Sequence, residues 1–533
     1  MTTLAQAQEL FFAALNAQNR KQFDTAERLY REALTLAPDR PSVLNNLAAV
    51  LQELGKFADA QTCCERLLVI IPDDPGAINN YGNALAATGR HDEALQQFDR
   101  ALCIAPDFAD SLASRGNVLA ELGRHAEALN DNRRAATLAP DRAIFQSRLG
   151  NALVRAQLPD AAIAACDRAL AIDPECADAF QNRANARLLL GRYAEALEDY
   201  ARAQALAPDH PRPRWNEALC RLLLGDFEGG WRNYGCGWDI GQRGRHKPQF
   251  TQPAWDGKYV EGTLLVWGEQ GIGDQMLYSS MLEEMQTCAR RLAVAVDTRL
   301  VPLLQRALPA VQVTSIDALP SLRGFDAQVA MGDLGAWLRR SWDSFPRAQR
   351  GFLKADAERA RQLRTRFGAN GKLLCGISWR SSNAAVGELK SMALADLAPL
   401  IGLPGVRCVD LQYGDTGPER LALEREQGIT PEHIEEIDCF NDIDGLAALI
   451  EACDMVVSVS NTTVHLAGAL GKPTLVMLPY ALGRIWYWHE KGDRSPWYPS
   501  CRLLRQTAAG DWAPVIATAT AAVRAAVAGI KPG

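Results

Sequence analysis

The residues of this chain best suited to chemistry fall in two short strings of its second half, GEQGIGDQ at 268–275 and SNTTVHLAGALG at 460–471. Each lies where a short apolar run gives way to an amphipathic pattern, the signature of a strand, a tight loop and a helix. In the first string Glu269 and Asp274 bring carboxylates to the loop, with Gln270 as a polar neighbour. A carboxylate there either takes a proton from a bound group or caps the helix that follows. In the second string the amides and hydroxyls of Asn461, Thr462 and Thr463 stand at a helix start, where unpaired N–H groups and the helix dipole suit an anion. His465 lies one turn further in. The same threonines also read as ordinary caps, and His465 as a core residue.

Other residues weigh less. Asp442-Ile-Asp444 spells a DxD, but it opens the helical pattern GLAALIEAC, and acidic residues at a helix start need no metal to explain them. Gly268, Gly271 and Gly273 form neither a GxGxxG nor a Walker loop. Trp486, Tyr487, Trp488, Trp497 and Tyr498 stack on a base or sugar, or pack a domain interface; Arg484 and Arg505 support a phosphate, or pair with carboxylates.

The elements that position these residues read as alternating strands and helices. From Thr263 the order is TLLVWGEQ, the helix QMLYSSMLEEMQTCARR and the strand RLAVAV; a second series starts at Lys372 with KLLCGISWR and runs through VRCVDLQYG and DMVVSVS to TLVMLP. Two parallel-sheet domains in tandem are expected, at 263–371 and 372–533, with ligands at the carboxyl ends of the strands.

The first half is different. Proline recurs every 34 residues at Pro38, Pro72, Pro106, Pro140, Pro174 and Pro208; glycine keeps the same step at Gly55, Gly89, Gly123, Gly191 and Gly225, with Gln157 standing in once. Five residues after each of these comes Ala60, Ala94, Ala128, Ala162, Ala196 or Gly230. Each unit is therefore a helix, a tight turn and a second helix, stopped by proline. This spacing resembles the tetratricopeptide repeat family and implies a superhelical array over 1–240 whose concave groove takes a peptide. Position 6 of the units carries Asn46, Asn80, Asn182 and Asn216, and position 9 carries Asn83, Asn117, Asn151 and Asn185. Three residues apart on a helix is one face, so these amides either grip an acceptor backbone or bond between neighbouring repeats. Residues 241–262 read as a linker that packs on the next domain through Phe250 and Trp255.

Composition limits the classes. A chain of 533 residues is too long for one core, and 48% hydrophobic with 23% charged residues is ordinary for a folded protein. The net charge of -6 gives no basic field, so no nucleic-acid partner is expected. The start lacks the pattern of a secretory signal, and no stretch approaches a membrane span. Thirteen cysteines, scattered and never spaced CxxC, fit a reducing compartment. A cytoplasmic location is the expectation.

The strings LLVWGEQGIGDQ, SVSNTTVHLAGALGKPT and DRSPWYPSCRLLRQ, in this order behind the repeats, resemble the bacterial repeat-containing glycosyltransferases related to the heptosyltransferases, and more distantly the protein O-GlcNAc transferases. The resemblance implies an α solenoid followed by an α/β GT-B fold of two Rossmann-like domains, the first on the acceptor side and the second binding the nucleotide-sugar. It implies an inverting transferase with no cofactor and no required metal, moving a sugar to a Ser or Thr hydroxyl of a protein acceptor held by the repeats, flagellin being one such acceptor. Asp274 matches the Gly-Asp whose aspartate acts as base, with Glu269 as its substitute. Lys390 in GELKSMAL resembles a phosphate-binding lysine. Gln412, Asn461, Thr462, Thr463, His465 and Arg484 fall with it on the donor side. The relatives often read Asp-Thr where this chain has Ser460 and Asn461. Competing readings are a non-catalytic interaction scaffold and a transferase acting on lipopolysaccharide or another glycan.

Overall fold

The computed structural model describes residues 3–244, 247–346, 351–368, 371–383, 387–481 and 484–529. The chain forms two compact units, Met1–Pro208 and Asp209–Gly533.

The first unit is helical throughout, from Thr3–Asn19 paired with Phe23–Leu36 to Ala177–Leu189 paired with Tyr193–Leu206. The second helix of each pair stops just before its proline: Leu36 is the last helical residue ahead of Pro38, and Ala37 between them has left helical geometry, at φ -143 and ψ 80. The residue before a proline is barred from helical geometry by the ring, so the stop is local and repeats with the sequence. The turn inside each pair needs a left-handed residue. Gly55, Gly89, Gly123 and Gly191 supply it at φ between 70 and 79, while Gln157 takes φ 58 at the same step and Lys21 φ 57 one step before Gly55.

Close packing within pairs rests on small residues. Ala60, Ala94, Ala162 and Ala196 are fully buried. A second column, glycines at the eighth position of the first helices, adds to the one that the sequence predicts. A Cβ at Gly82 would lie 2.6 Å from the Phe98 ring, and one at Gly150 2.4 Å from the Cys166 sulfur. The first helices of successive pairs also touch one another, Pro41–Glu53 on Pro75–Ala87 and so on to Ala177–Leu189. That side, where consecutive helices approach most closely, is the inner side of the array.

The second unit opens with one more hairpin, Pro211–Leu224 and Phe227–Tyr234. The repeat spacing predicts this hairpin within the array; by contacts it belongs with the α/β half. Two all-parallel sheets follow. The first has β1 (Val260–Trp267), β2 (Ala289–Val296), β3 (Gln312–Ser315) and β4 (Ala327–Ala330), in the order β3-β2-β1-β4. The second has β5 (Leu373–Ser378), β6 (Val406–Asp410), β7 (Met455–Val459), β8 (Thr474–Leu478) and β9 (Cys501–Arg505), in the order β6-β5-β7-β8-β9. An α/β fold follows from the strand alternation, as the sequence predicts. The single long helix expected after β1 is in fact two, Ile272–Ser279 and the one-turn Leu282–Met285. Chain order reverses between β1 and β4 in the first sheet and between β5 and β7 in the second, and at such reversals the carboxyl ends leave a crevice.

The linker segment does pack as expected. Phe250 lies against Trp267 and Phe325, and Trp255 is buried beside Trp337. No helix among the described residues is long and apolar enough to cross a membrane.

Gln157 holds a left-handed backbone that costs a side-chain-bearing residue about 1–2 kcal/mol. Gln157→Gly is expected to stabilise the array by roughly 1 kcal/mol, read as a raised denaturation midpoint with an unchanged slope.

Candidate functional site

The loop after β1 is built around its two carboxylates, and they do different things. Asp274 is the third residue of the helix Ile272–Ser279, and its Oδ2 accepts the Gly271 amide at 3.2 Å. Asp274 therefore does cap its helix. Its other oxygen, Oδ1, makes no hydrogen bond to another residue's side chain among the described residues. Burial pushes the carboxyl up to about 6, against the pull of the Gly271 amide and of the Lys390 charge.

Glu269 is almost fully buried. Its Oε1 accepts from the Arg243 guanidinium at 2.7 Å and from the Gly332 amide at 3.0 Å, and Arg243 also bonds Asp333 at 2.5 Å. Burial raises the Glu269 carboxyl although Arg243 stands beside it. Arg243 itself is completely buried, with the Tyr234 and Trp238 rings each 4.9 Å away. The segment expected as a polar linker thus delivers a guanidinium to the β1–β4 crevice, and no local pattern in GQRGR signals it. Between the carboxylates Gln270 adopts φ 62, and its side chain bonds the Tyr234 hydroxyl at 3.1 Å.

On the second sheet Lys390 is buried and, among the described residues, makes no hydrogen bond. Burial pulls its ammonium down to about 8, while the Asp274 charge supports it. Lys390 and Asp274 thus stand in each other's field across the two sheets' carboxyl edges. Packing joins the same edges. The helix Ile272–Ser279 contacts the helix Thr462–Ala469, and a Cβ on Gly273 would lie 3.1 Å from the His465 ring.

Several donor-side candidates are spent within the protein. Asn461 caps its helix: its Oδ1 accepts from Ser458 Oγ at 3.1 Å and the Val464 amide at 3.4 Å, while Nδ2 donates to Ser378 Oγ at 2.7 Å and to the Arg380 carbonyl at 2.9 Å. A primary amide has two donors and two acceptor positions, so Asn461 is saturated. Gln412 Oε1 accepts from Ser378 Oγ and from the Trp379 and Arg380 amides at 2.8–2.9 Å, fixing the chain as it leaves β5. Thr463 Oγ1 reaches the Leu411 carbonyl at 3.4 Å. His465 is tied at both nitrogens, Nδ1 to the Tyr498 hydroxyl at 2.9 Å and Nε2 to the Tyr487 hydroxyl at 3.1 Å. Burial, with the Lys390 charge, lowers it to about 3, so the ring is neutral. Arg484 pairs with Glu490. Among the described residues, the donor-side groups without a hydrogen-bond partner are the Lys390 ammonium, the half-buried Thr462 side chain and the first backbone N–H groups of its helix.

The aromatic residues expected as stacking or packing elements are packed. Trp486 meets Trp231 edge-on with ring centres 5.4 Å apart, and Trp497 meets Phe345 at 4.9 Å. The hairpin is held by the same cluster: His489 Nδ1 lies 3.0 Å from the Leu222 carbonyl at its helix end, and a Cβ on Gly225 would lie 2.3 Å from the Trp342 ring. Asp442 caps the helix Ile443–Ala452 through the Gly445 amide at 2.7 Å and pairs with Arg359; Asp444 pairs with Arg306.

On the inner side of the array the asparagines divide by position. At position 6, Asn80 Nδ2 donates to Asn45 Oδ1 at 2.9 Å and Asn182 Nδ2 to the Ser147 carbonyl at 3.1 Å, each reaching the preceding repeat. At position 9, Asn185 accepts from the Tyr200 hydroxyl at 2.6 Å. Asn83, Asn117 and Asn151 are half-buried and make no side-chain hydrogen bond among the described residues. They recur once per repeat.

This division is testable by denaturation. Asn80→Ala and Asn182→Ala are each expected to cost about 0.5–1.5 kcal/mol, the net worth of a lost hydrogen bond. Asn83→Ala, Asn117→Ala and Asn151→Ala are expected to stay within about 0.5 kcal/mol of the parent.

Comparison with known proteins bears on the same region. Residues 39–107 match the tetratricopeptide repeat family, as do 81–143, 113–177, 147–211 and 182–229. Protein FlbA of Caulobacter vibrioides is 32% identical over 301 residues, covering 52% of this chain and 49% of that protein. The chain thus spans about half the length of this curated relative. Among solved structures, YrrB, a tetratricopeptide protein with an unusual peptide-binding site, is 23% identical, covering 34% of this chain and 95% of that one with a TM-score of 0.27. TTC0263, a tetratricopeptide protein of Thermus thermophilus, is 25% identical, covering 36% and 99% with a TM-score of 0.32. The helical half of the chain is an array of tetratricopeptide repeats, a protein-interaction module.

Proposed function

We propose that the chain is an inverting, metal-independent glycosyltransferase with a GT-B arrangement of its two sheets, taking a sugar from a nucleotide-sugar to a Ser or Thr hydroxyl of a protein acceptor that the repeats hold. The observation that carries this reading is that the helix Ile272–Ser279, which bears Asp274, packs on the helix Thr462–Ala469 at the carboxyl edges of the two sheets, with the Asp274 carboxyl raised to about 6 and the buried Lys390 ammonium lowered to about 8, each within the other's field. Inverting transfer needs those two groups. Asp274 takes the proton as the acceptor oxygen bonds the anomeric carbon, and the bond from that carbon to the nucleotide phosphate breaks on the opposite face. Lys390 and the N–H groups at the start of the helix Thr462–Ala469 receive the charge that develops on the departing phosphate. Asn83, Asn117 and Asn151 hold the acceptor backbone, and flagellin is one acceptor to assay.

The competing reading is a scaffold without catalysis. Ser460, where the relatives carry Asp, is buried and accepts the Trp488 indole N–H at 2.8 Å, so this position serves packing. Slow hydrolysis of a nucleotide-sugar by the purified chain separates the two, since a scaffold hydrolyses none. The nucleotide is identified by thermal shift against UDP, GDP, ADP and CMP, because a ligand bound by the native state raises apparent stability.

Asp274→Asn is expected to lower turnover by roughly 100- to 10,000-fold while leaving nucleotide affinity in place. Lys390→Ala is expected to weaken nucleotide binding, through a lost charge-assisted contact. The pH profile follows with signs fixed: activity rises as Asp274 loses its proton near pH 6 and falls as Lys390 loses its charge near pH 8. Near-normal turnover in Asp274→Asn would place the base elsewhere.

A further inference from the structure

A cavity of ≈ 420 Å³ opens at the amino-terminal edge of the first sheet, the edge opposite Asp274. Its floor is apolar, made by Leu265, Val311 and Phe325, all buried. Its rim carries three arginines, Arg290, Arg291 and Arg323. The remaining polar groups of the lining are neutral, and it includes no carboxylate. Among the described residues none of the three guanidinium groups has a carboxylate partner, in a protein where arginines such as Arg115, Arg183, Arg243 and Arg359 are bound to acids. The nearby Asp326 is occupied by the Thr263 amide at 2.7 Å.

Two of the guanidinium groups are held from behind. Arg291 Nε donates to Thr263 Oγ1 at 3.1 Å, across the β1–β2 register in which these residues are partners. Arg323 Nη1 donates to the Pro320 carbonyl at 2.9 Å and to that of Leu322 at 2.7 Å. In each case the other nitrogens remain to donate, and a pre-oriented fork loses less entropy on binding a phosphate. Consecutive residues of a strand point to opposite faces, so of Arg290 and Arg291 it is Arg291, whose register partner Thr263 also lines the cavity, that is on its face. Helix N-termini gather at the opposite edge, so the positive charge here is carried by side chains alone.

We infer that this cavity is a binding site for an organic phosphate: a phosphate monoester borne on an aromatic or other apolar body, the phosphate on the arginines and the body on the Leu265–Phe325 floor. The volume falls in the range of small-molecule sites. The site is separate from the Asp274–Lys390 crevice and independent of the activity proposed there.

The test uses the full chain with 1-naphthyl phosphate and inorganic phosphate as probes, titrated by calorimetry. Wild type is expected to bind the aryl phosphate at least about tenfold more tightly than phosphate alone, and more weakly as salt is raised. The doubly substituted Arg291→Ala/Arg323→Ala chain is expected to lose at least about tenfold in affinity. Arg425→Ala, an exposed arginine on a helix of the other sheet, is expected to change nothing. All three arginines of the rim are exposed, so the fold should survive, which circular dichroism checks. No binding of the aryl phosphate at millimolar concentration, or equal affinity in the double variant, would overturn the site. Equal affinity for the two probes would overturn the role of the floor.

Discussion

The contact between Gly273 and the His465 ring sets the distance between the two sheets' carboxyl edges, and the candidate chemistry depends on it. A single methyl group on Gly273 would sit 3.1 Å from the ring, so the two loops cannot come as close with any other residue there unless the ring gives way. The ring is poorly placed to do so. It is buried, neutral and hydrogen-bonded on both sides to tyrosine hydroxyls that are themselves buried. Charging it in that setting would cost several kcal/mol of lost hydration. His465 thus works as a fixed spacer, and the residue after Gly273 is the carboxylate that feels the Lys390 charge.

The buried polar groups around this contact are largely committed to one another. Ser378, Gln412 and Asn461 form one network across the ends of β5, β6 and β7, which fixes where the chain leaves each strand. Arg243, Glu269 and Asp333 do the same at the ends of β1 and β4. In a low-dielectric interior such networks are stabilising only when nearly complete, and they hold their members rigid. What they leave unspent is informative. Arg243 Nε and Glu269 Oε2 have no partner among the described residues, and Lys390 is a buried cation without a hydrogen bond among them, kept at the edge of the crevice.

Much of this is legible in the amino-acid sequence because its signals are local. The 34-residue step of prolines and glycines specifies the helix ends, even to Gln157 taking the left-handed turn. The alternation of apolar runs specifies the strands, and the position of Asp274 at a helix start follows from GIGD. The long-range partners that commit Asn461, Gln412 and His465 are not legible, because they lie between 22 and 83 residues away in the chain. Arg243 sits in a stretch whose composition reads as solvated linker, and only the fold shows that Glu269 waits for it. The last repeat, matched by the family to residue 229, groups with the α/β half in one compact unit for a related reason. The last hairpin keeps the repeat spacing, but Phe227, Trp231 and Tyr234 give it an aromatic surface that the α/β half buries.

The ownership of that last hairpin constrains how such a chain can change length. An array of this kind is held together by nearest-neighbour contacts, so whole repeats can be gained or lost without rebuilding a common core. The hairpin at 211–234 is exempt from this freedom, because its Leu222 carbonyl, Trp231 indole and Tyr234 hydroxyl are bonded to His489, the Arg339 carbonyl and Gln270. Gene duplication or deletion in steps of 34 codons can therefore resize the interaction surface upstream of residue 208 and leave the α/β half untouched. A frame shifted by one hairpin further downstream would remove structural parts of the candidate site itself. Relatives with different repeat numbers are expected to vary everywhere in the array except in this terminal hairpin.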